Sequence, residues 1–446
     1  MKARIRPIFF DPGRDEEFDI QLEILRSLFH EKAKFLDPAP LVMDSFSPHQ
    51  NLAVDAVVFP QLLGEAYRQV DVFKMIHLPI LIITSEFGTV SMWDWEICSY
   101  LRSEGLDPIA PNSLDKTRKV IQALCIKRGL QDSKFLVFQD NPGEGMQAEI
   151  FKRFYWWEDE CIQRIKDKFG LTIEKRSFEK LAADAKAIPD KDAEEVWEAW
   201  KDKLVVGDIT QKALLSALKI YMAVKRELEN NGSITAVGMN CLNESRYSDT
   251  TPCLAWNMLY EEQKMIWGCE ADIVSMLTKY ILNKSLDVPI MMTNIYPFLM
   301  GQAALKHERI PGFPEVDDPQ NHILVAHCGY LGVVPQSFAT DWSLEKKVLA
   351  IVDDNAIALD ARLPEGDMTL AKLFPTMEKM TVAEGDLSFY IQYSNSDCLN
   401  GGIIRVANGY KLLNTVSSHH YLLMTGHNLD DIEAIAKVFK LEIEAI

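Results

Sequence analysis

Residues 417–427, SSHHYLLMTGH, set two adjacent imidazoles at the head of an apolar run, with a third at His427. Only 9 histidines occur in 446 residues, so three inside this short stretch form a concentration with chemical meaning. Imidazoles this close together serve as metal ligands, as proton carriers near neutral pH, or as both. If the pair opens a strand, successive side chains alternate, and one ring is expected on each face, one buried and one lining a cleft. The same pattern fits a strand end with one satisfied core histidine and one solvated histidine. A metal site needs at least one more hard ligand from elsewhere in the chain.

The bulk properties limit what surrounds such a site. A chain of 446 residues is too long for a single core and is expected to form two or three domains. Its 48% hydrophobic and 25% charged residues are ordinary for a globular protein. Its apolar runs fall short of the roughly 18 residues that span a bilayer. The opening MKARIRPIFFDPGRD is interrupted by Pro7 and Asp11 and has no small-residue cleavage pattern, so no signal peptide is expected and the cytoplasm is the expected location. A net charge of -18 argues against nucleic acid as a partner and leaves a small neutral ligand as the better fit. The 8 cysteines include no CxxC pair and read as reduced thiols, mostly in the core.

The first third alternates strand-like runs (4–10, 53–59 and the fully apolar 78–83) with an amphipathic helix over 17–31, the rhythm of a parallel sheet covered by helices. A second such unit starts at KFLVFQDNPGEG, where a strand from Lys134 enters a Gly/Pro turn and then a helix carrying Phe151, Phe154, Tyr155 and Trp156. That turn lacks both GxGxxG spacing and a Walker lysine, so it does not read as a nucleotide loop. Residues 174–203 read as a solvated helical excursion, 234–239 as a strand and 270–282 as a helix. Beyond about residue 344 short alternating strands (346–352, 355–363, 386–392, 401–414) predict an antiparallel barrel or sandwich, closed by a helix over 429–439. The expected domains are 1–130, 131–290 and 291–446.

Three segments carry a family resemblance: IRPIFFDPGR near the start, WGCEADIVSMLTKYILNKSLDVPIMMTN ending at residue 294, and the closing HHYLLMTGH. Together they resemble the L-fucose and L-arabinose isomerases. That resemblance implies an α/β protein with two Rossmann-like doubly wound domains followed by a C-terminal β-barrel domain. It also implies a cytoplasmic homo-oligomer, hexameric or trimer-based, that interconverts an aldose and a ketose, the sugar being a pentose or 6-deoxyhexose. The implied cofactor is a divalent cation, usually Mn²⁺, with Mg²⁺ or Co²⁺ as substitutes, held in a cleft between domains. Glu270 takes the position of a metal-binding, proton-transferring glutamate that opens a helix, and His420 that of a histidine ligand. His419 falls on a substrate-contacting position, and His327 and Cys328 end a strand that faces the sugar. Arg14 is expected to reach a neighbouring subunit's site. Trp93, with Trp95, would wall a sugar site or else pack in a core or subunit contact.

One position departs from the family pattern. Asn294 stands where the second metal-binding carboxylate is expected, and an amide oxygen can ligate a hard cation but cannot act as a general base. Aldose–ketose conversion through an enediol moves one proton between C1 and C2 and another between O1 and O2, so a second proton carrier is needed. Three answers stay open: His327 or His419 takes that role, a carboxylate from Glu315, Asp317 or Asp318 enters the site, or the fold has kept sugar or metal binding without the reaction. Glu270 also has a plainer reading, as a solvated residue favoured at a helix N-terminus. The polar turn 243–249 fits either a sugar contact or a surface loop. A periplasmic-type sugar-binding protein is disfavoured by the lack of an export signal and by the third, β-rich domain.

Overall fold

The apolar run at Ile80–Ile82 and the one at Ala56–Phe59 are buried at every position, as strands covered on both faces must be. In the computed structural model the described residues are 1–10, 13–42, 54–61, 64–140, 154–242, 244–303, 310–327, 330–347, 354–393, 396 and 399–446. They divide into two units. The first holds Met1–Gln131, Lys284–Asp287 and Asp430–Glu442, the second Asp132–Asn283, Val288–Leu429 and Ile443–Ile446. The expected second and third domains thus fall within one unit, and most of the last helix (Leu429–Val438) belongs with the first. Among the described residues no helix is long and apolar enough to cross a membrane.

The first unit carries a parallel sheet of β1 (Ala3–Phe9), β2 (Ala33–Phe35), β3 (Ala39–Pro40), β4 (Ala56–Phe59) and β5 (Ile80–Ile82), in the order β2-β1-β4-β5 with β3 also beside β1. The helix Glu16–Phe29 starts where the Asp15 carboxylate accepts the Phe18 N–H, and it buries Phe18, Leu22, Leu25 and Phe29 as one stripe. In the last helix Asp431 pairs with Lys119 at 2.6 Å, and the Lys127 ammonium donates to the Val438 carbonyl at 2.8 Å. Both contacts lie inside this unit.

The second unit opens with another parallel sheet, β6 (Lys134–Phe138), β7 (Thr172–Arg176), β8 (Ile234–Met239) and β9 (Ile266–Cys269), ordered β7-β6-β8-β9. The stretch read as a solvated helical excursion is helical, but it is not solvated throughout. It begins inside β7 and continues as two helices, Phe178–Lys186 and Asp190–Trp200, which bury Phe178, Leu181, Ala185 and Trp200. Their apolar positions recur at helical spacing beneath a charged outer face.

The chain continues through β10 (Ile290–Pro297), β11 (His322–Ala326), β12 (Asp341–Lys346), β13 (Ile357–Arg362), β14 (Gly366–Leu373), β15 (Lys379–Ile391), β16 (Gly401–Val406), β17 (His420–Thr425) and β18 (Glu442–Ala445). Six of these, in the order β14-β17-β10-β11-β16-β15, pair antiparallel and close into a barrel through β14 and β15. β12 and β13 form a separate hairpin. The strand expected over 401–414 stops at Val406, because Asn408 accepts the Lys411 N–H and starts the helix Gly409–Asn414.

The helix Ile273–Leu286 sits close on the parallel sheet because of two glycines. Gly238 of β8 and Gly268 of β9 are register partners, and Met276 rests on both. A Cβ on Gly268 would lie 2.3 Å from Met276 Cγ, and one on Gly238 would lie 2.7 Å from its Sδ. We expect Gly268→Ala to lose about 1–3 kcal/mol of stability through overpacking. Gly129→Ala, in a helix position with nothing within 4 Å, should instead gain about 0.4–1 kcal/mol. Urea unfolding of both variants checks the pair of expectations.

Candidate metal centre

Glu270 lies between the end of β9 and the helix Ile273–Leu286, in a turn rather than at the helix start where the family resemblance puts it. Glu270 and Ala271 both take left-handed backbone angles, φ 53° and 50°. Two consecutive non-glycine residues there cost about 1–3 kcal/mol each unless the surroundings hold them. Four hydrogen bonds do so: the indole N–H groups of Trp156 and Trp157 donate to the Glu270 carbonyl at 3.3 and 2.8 Å, the Ala271 N–H donates to the Met239 carbonyl at 2.9 Å, and the Asp272 carboxylate accepts the Ser275 N–H at 2.8 Å. Asp272 thereby starts the helix, and Glu270 is left pointing away from it.

The histidine pair does not split across the two faces of a strand. The barrel ladder begins at His420, so His419 precedes it and strict alternation does not apply. The two rings lie 4.1 Å apart, and both face Glu270: His419 Nε2 is 3.6 Å from Oε2 and His420 Nε2 is 3.8 Å from Oε1. Glu270, His419 and His420 each offer one ligand atom, all within 4.8 Å of one another. Glu270 Oε2 and His420 Nε2 are buried and lack a hydrogen-bond partner. Such orphaned acceptors are costly in a dry site, and a cation satisfies both at once. The group can therefore hold a divalent metal.

A charged network fixes His420 from behind. Its Nδ1 donates to Asp272 Oδ2 at 2.9 Å, and the same oxygen accepts from Lys372 Nζ on β14 at 2.8 Å and from Ser275 Oγ at 2.9 Å. Asp272 and Lys372 are fully buried. Burial alone would raise the Asp272 pKa, but Lys372 and His420 outweigh it and hold the carboxyl well below its usual range. With that carboxylate ionised, Nδ1 carries the proton and Nε2 turns its lone pair toward Glu270. Burial, reinforced by His419, pushes the His420 pKa down to about 4, so this imidazole is neutral at pH 7.

An aromatic wall lines one side. Trp156 lies 5.5 Å from the His420 ring and 5.9 Å from that of His419, and Phe154 lies 5.5 Å from His419. Sequence reading took Phe154, Tyr155 and Trp156 as part of a helix. Tyr155–Trp157 instead form a short 3₁₀ turn, which lets both indoles reach Glu270. The run of aromatics FYWW was the available signal for the wall. For the Asp272–Lys372 pair the available signals were an acid two residues after Glu270 and a lysine inside an apolar strand.

Of the remaining predicted residues, Asn294 and His327 lie beside the centre and the other described ones do not. Asn294 on β10 pairs in register with His420 on β17, so its side chain lies on the same face. Its Oδ1 accepts from His327 Nδ1 at 3.2 Å, and its Nδ2 donates to the Tyr296 hydroxyl at 3.0 Å. The His327 ring is buried 5.9 Å from that of His420. Glu315 and Asp317 are exposed, and the Asp318 carboxylate accepts from Asn321 Nδ2 at 2.7 Å. None of the three belongs to the ligand group. Arg14, half-exposed and 3.3 Å from Asp19, and Trp93, exposed at the start of the helix Met92–Ser103, belong to the first unit, whereas the centre lies in the second. Cys328, Asn243 and the turn at 141–145 lie outside the described residues. No protein-family model matches the chain, and no curated protein matches it significantly.

Two outcomes follow from the centre. Glu270→Gln and His420→Ala should each abolish stoichiometric binding of a divalent cation. Asp272→Asn, which leaves all three ligands in place, should weaken binding about 10–100-fold. Isothermal titration calorimetry measures all three. The second concerns pH. The folded state holds His420 neutral down to about pH 4, whereas the unfolded chain protonates it near the ordinary value of 6.5. Its contribution to stability is complete above pH 6.5 and is lost as pH falls toward 4, at roughly 1.4 kcal/mol per pH unit. His420→Gln should flatten that part of the profile in urea unfolding between pH 7 and 4.5.

Proposed function

We propose that the protein is a cytoplasmic, divalent-metal-dependent aldose–ketose isomerase of the L-fucose and L-arabinose isomerase type, acting on a pentose or 6-deoxyhexose. The observation that carries this reading is the convergence of Glu270 and His420, 150 residues apart in the chain, on one metal-sized group. Parallel sheets followed by a closed antiparallel barrel agree with the layout such an enzyme would have. A bound cation, Mn²⁺ or a substitute such as Mg²⁺ or Co²⁺, would polarise the two vicinal sugar oxygens and stabilise negative charge developing on the enediol. Glu270 would carry the proton exchanged between C1 and C2. His327, whose buried ring lies 5.9 Å from that of His420, would serve the exchange between O1 and O2. The wall of Trp156 and Phe154 would exclude water and offer an apolar face to the sugar's C–H groups. Under this reading Arg14, Trp93 and Cys328 contact sugar, the first two in a neighbouring subunit of a homo-oligomer, hexameric or trimer-based.

A second reading is favoured by one specific observation. Asn294 replaces the expected carboxylate, and its amide oxygen is engaged by His327. A relative that binds sugar or metal without isomerising would have this feature.

The two separate in one experiment. The Mn²⁺-loaded protein is incubated with a panel of aldoses in deuterated water, and exchange at C2 is followed by NMR. Isomerase chemistry requires metal-dependent exchange with at least one sugar, reduced about 100-fold or more in Glu270→Gln. Binding of sugar and metal with no exchange on any aldose would overturn it and leave the second reading.

A further inference from the structure

Cys241 follows β8 and Cys269 ends β9, immediately before Glu270. Both are buried, neither is in a disulfide, and their sulfurs lie 3.1 Å apart. Their backbones are tied as well, because the Met239 carbonyl accepts both the Cys241 N–H at 2.8 Å and the Ala271 N–H at 2.9 Å. Any movement of one thiol toward the other is therefore passed to the strained turn that aims Glu270. Closing the contact to the 2.05 Å of a disulfide moves the sulfurs together by about 1 Å. Cys269 is bonded directly to Glu270, so part of that movement would fall on the ligand turn, and a metal centre tolerates only a few tenths of an ångström in its ligands.

From this we infer that Cys241 and Cys269 form an oxidation site, closed to a disulfide by hydrogen peroxide, whose closure displaces Glu270 and weakens the adjacent metal centre. This goes beyond the isomerase reading and uses only the metal-holding group. Chemically, one thiol loses its proton and attacks the O–O bond, giving a sulfenic acid and water. The second thiol then displaces the hydroxyl as a second water and forms the S–S bond. Two thiols and one peroxide give one disulfide and two waters; sulfur is oxidised and peroxide oxygen reduced. Burial of both sulfurs keeps out protein disulfides, so the oxidant named here is a small one.

The full-length protein is treated with limited peroxide and digested under non-reducing conditions. Mass mapping seeks the linked peptide of Cys241 and Cys269, two hydrogens lighter than the reduced pair. Mn²⁺ or Co²⁺ affinity is measured on the same sample by calorimetry. The proposal expects that link, a loss of affinity of about tenfold or more, recovery with dithiothreitol, and no response to peroxide in Cys241→Ser or in Cys269→Ala. Absence of the link overturns the site. A link with unchanged affinity overturns its coupling to the centre. If the reduced protein binds no cation, the metal reading itself fails, and tryptophan fluorescence then decides the coupling. The indoles of Trp156 and Trp157 rest on the Glu270 carbonyl, so a reversible change on oxidation supports displacement and an unchanged spectrum refutes it.

Discussion

Asp272 has no access to water, yet it meets the helix that follows β9, the barrel strand β14 and the histidine that opens β17. Withdrawing its charge and that of Lys372 from water costs several kcal/mol per ion, and their attraction offsets this only when the remaining hydrogen-bonding capacity is used. Here Ser275 and His420 use it, and the Lys372 ammonium lies 5.8 Å from the Trp156 ring. Removing either partner of such a pair strands an uncompensated charge. The Asp272 carboxylate therefore ties the end of the parallel sheet to barrel strands 100 and 148 residues further along the chain. The position of His420 relative to Glu270 is a consequence of that arrangement.

Strain in the Glu270–Ala271 turn supplies the complementary constraint. A glutamate inside the helix would project along the helix surface. In the left-handed turn it projects from the end of β9 toward β17, where the two imidazoles stand. The conformation persists because its carbonyl is clamped by two indoles and its next N–H by Met239. Ligand geometry is thus set by groups that do not themselves touch the cation site. The same coupling makes the site sensitive to the sulfur contact one residue upstream.

Local periodicity made much of this legible in the sequence. The strands 56–59, 80–82 and 234–239 announce themselves as apolar runs, and the histidine pair is conspicuous by its rarity. What stayed hidden depends on long-range pairing. The contact between Lys372 and Asp272 spans 100 residues, and spacing along the chain carries no trace of it. Trp156 suits a helix in one dimension and, with Trp157, serves as a hydrogen-bond donor in three. His419 escaped the alternation rule because the first rung of the ladder falls one residue later. The last helix has the pattern of any amphipathic helix, and nothing in that pattern says that its partners are Lys119 and Lys127.

The donor set decides how the isomerase reading can work. One carboxylate and two neutral imidazoles leave a divalent cation with a net charge of one, where two carboxylates and one imidazole would leave none. Under the isomerase reading, the residual charge would strengthen attraction for negative charge developing on a sugar oxygen. Nitrogen donors also disfavour magnesium, which prefers oxygen and gives up water reluctantly, while manganese and cobalt accept them. Asp272 acts on the same balance from behind, making His420 a better donor through its Nδ1 proton. Lys372 restrains that effect by sharing the carboxylate oxygen. Residue 294 therefore bears on the same balance as the charge network around residue 272, and Asn294→Asp would add a second carboxylate beside a group already able to hold a cation through Glu270, His419 and His420.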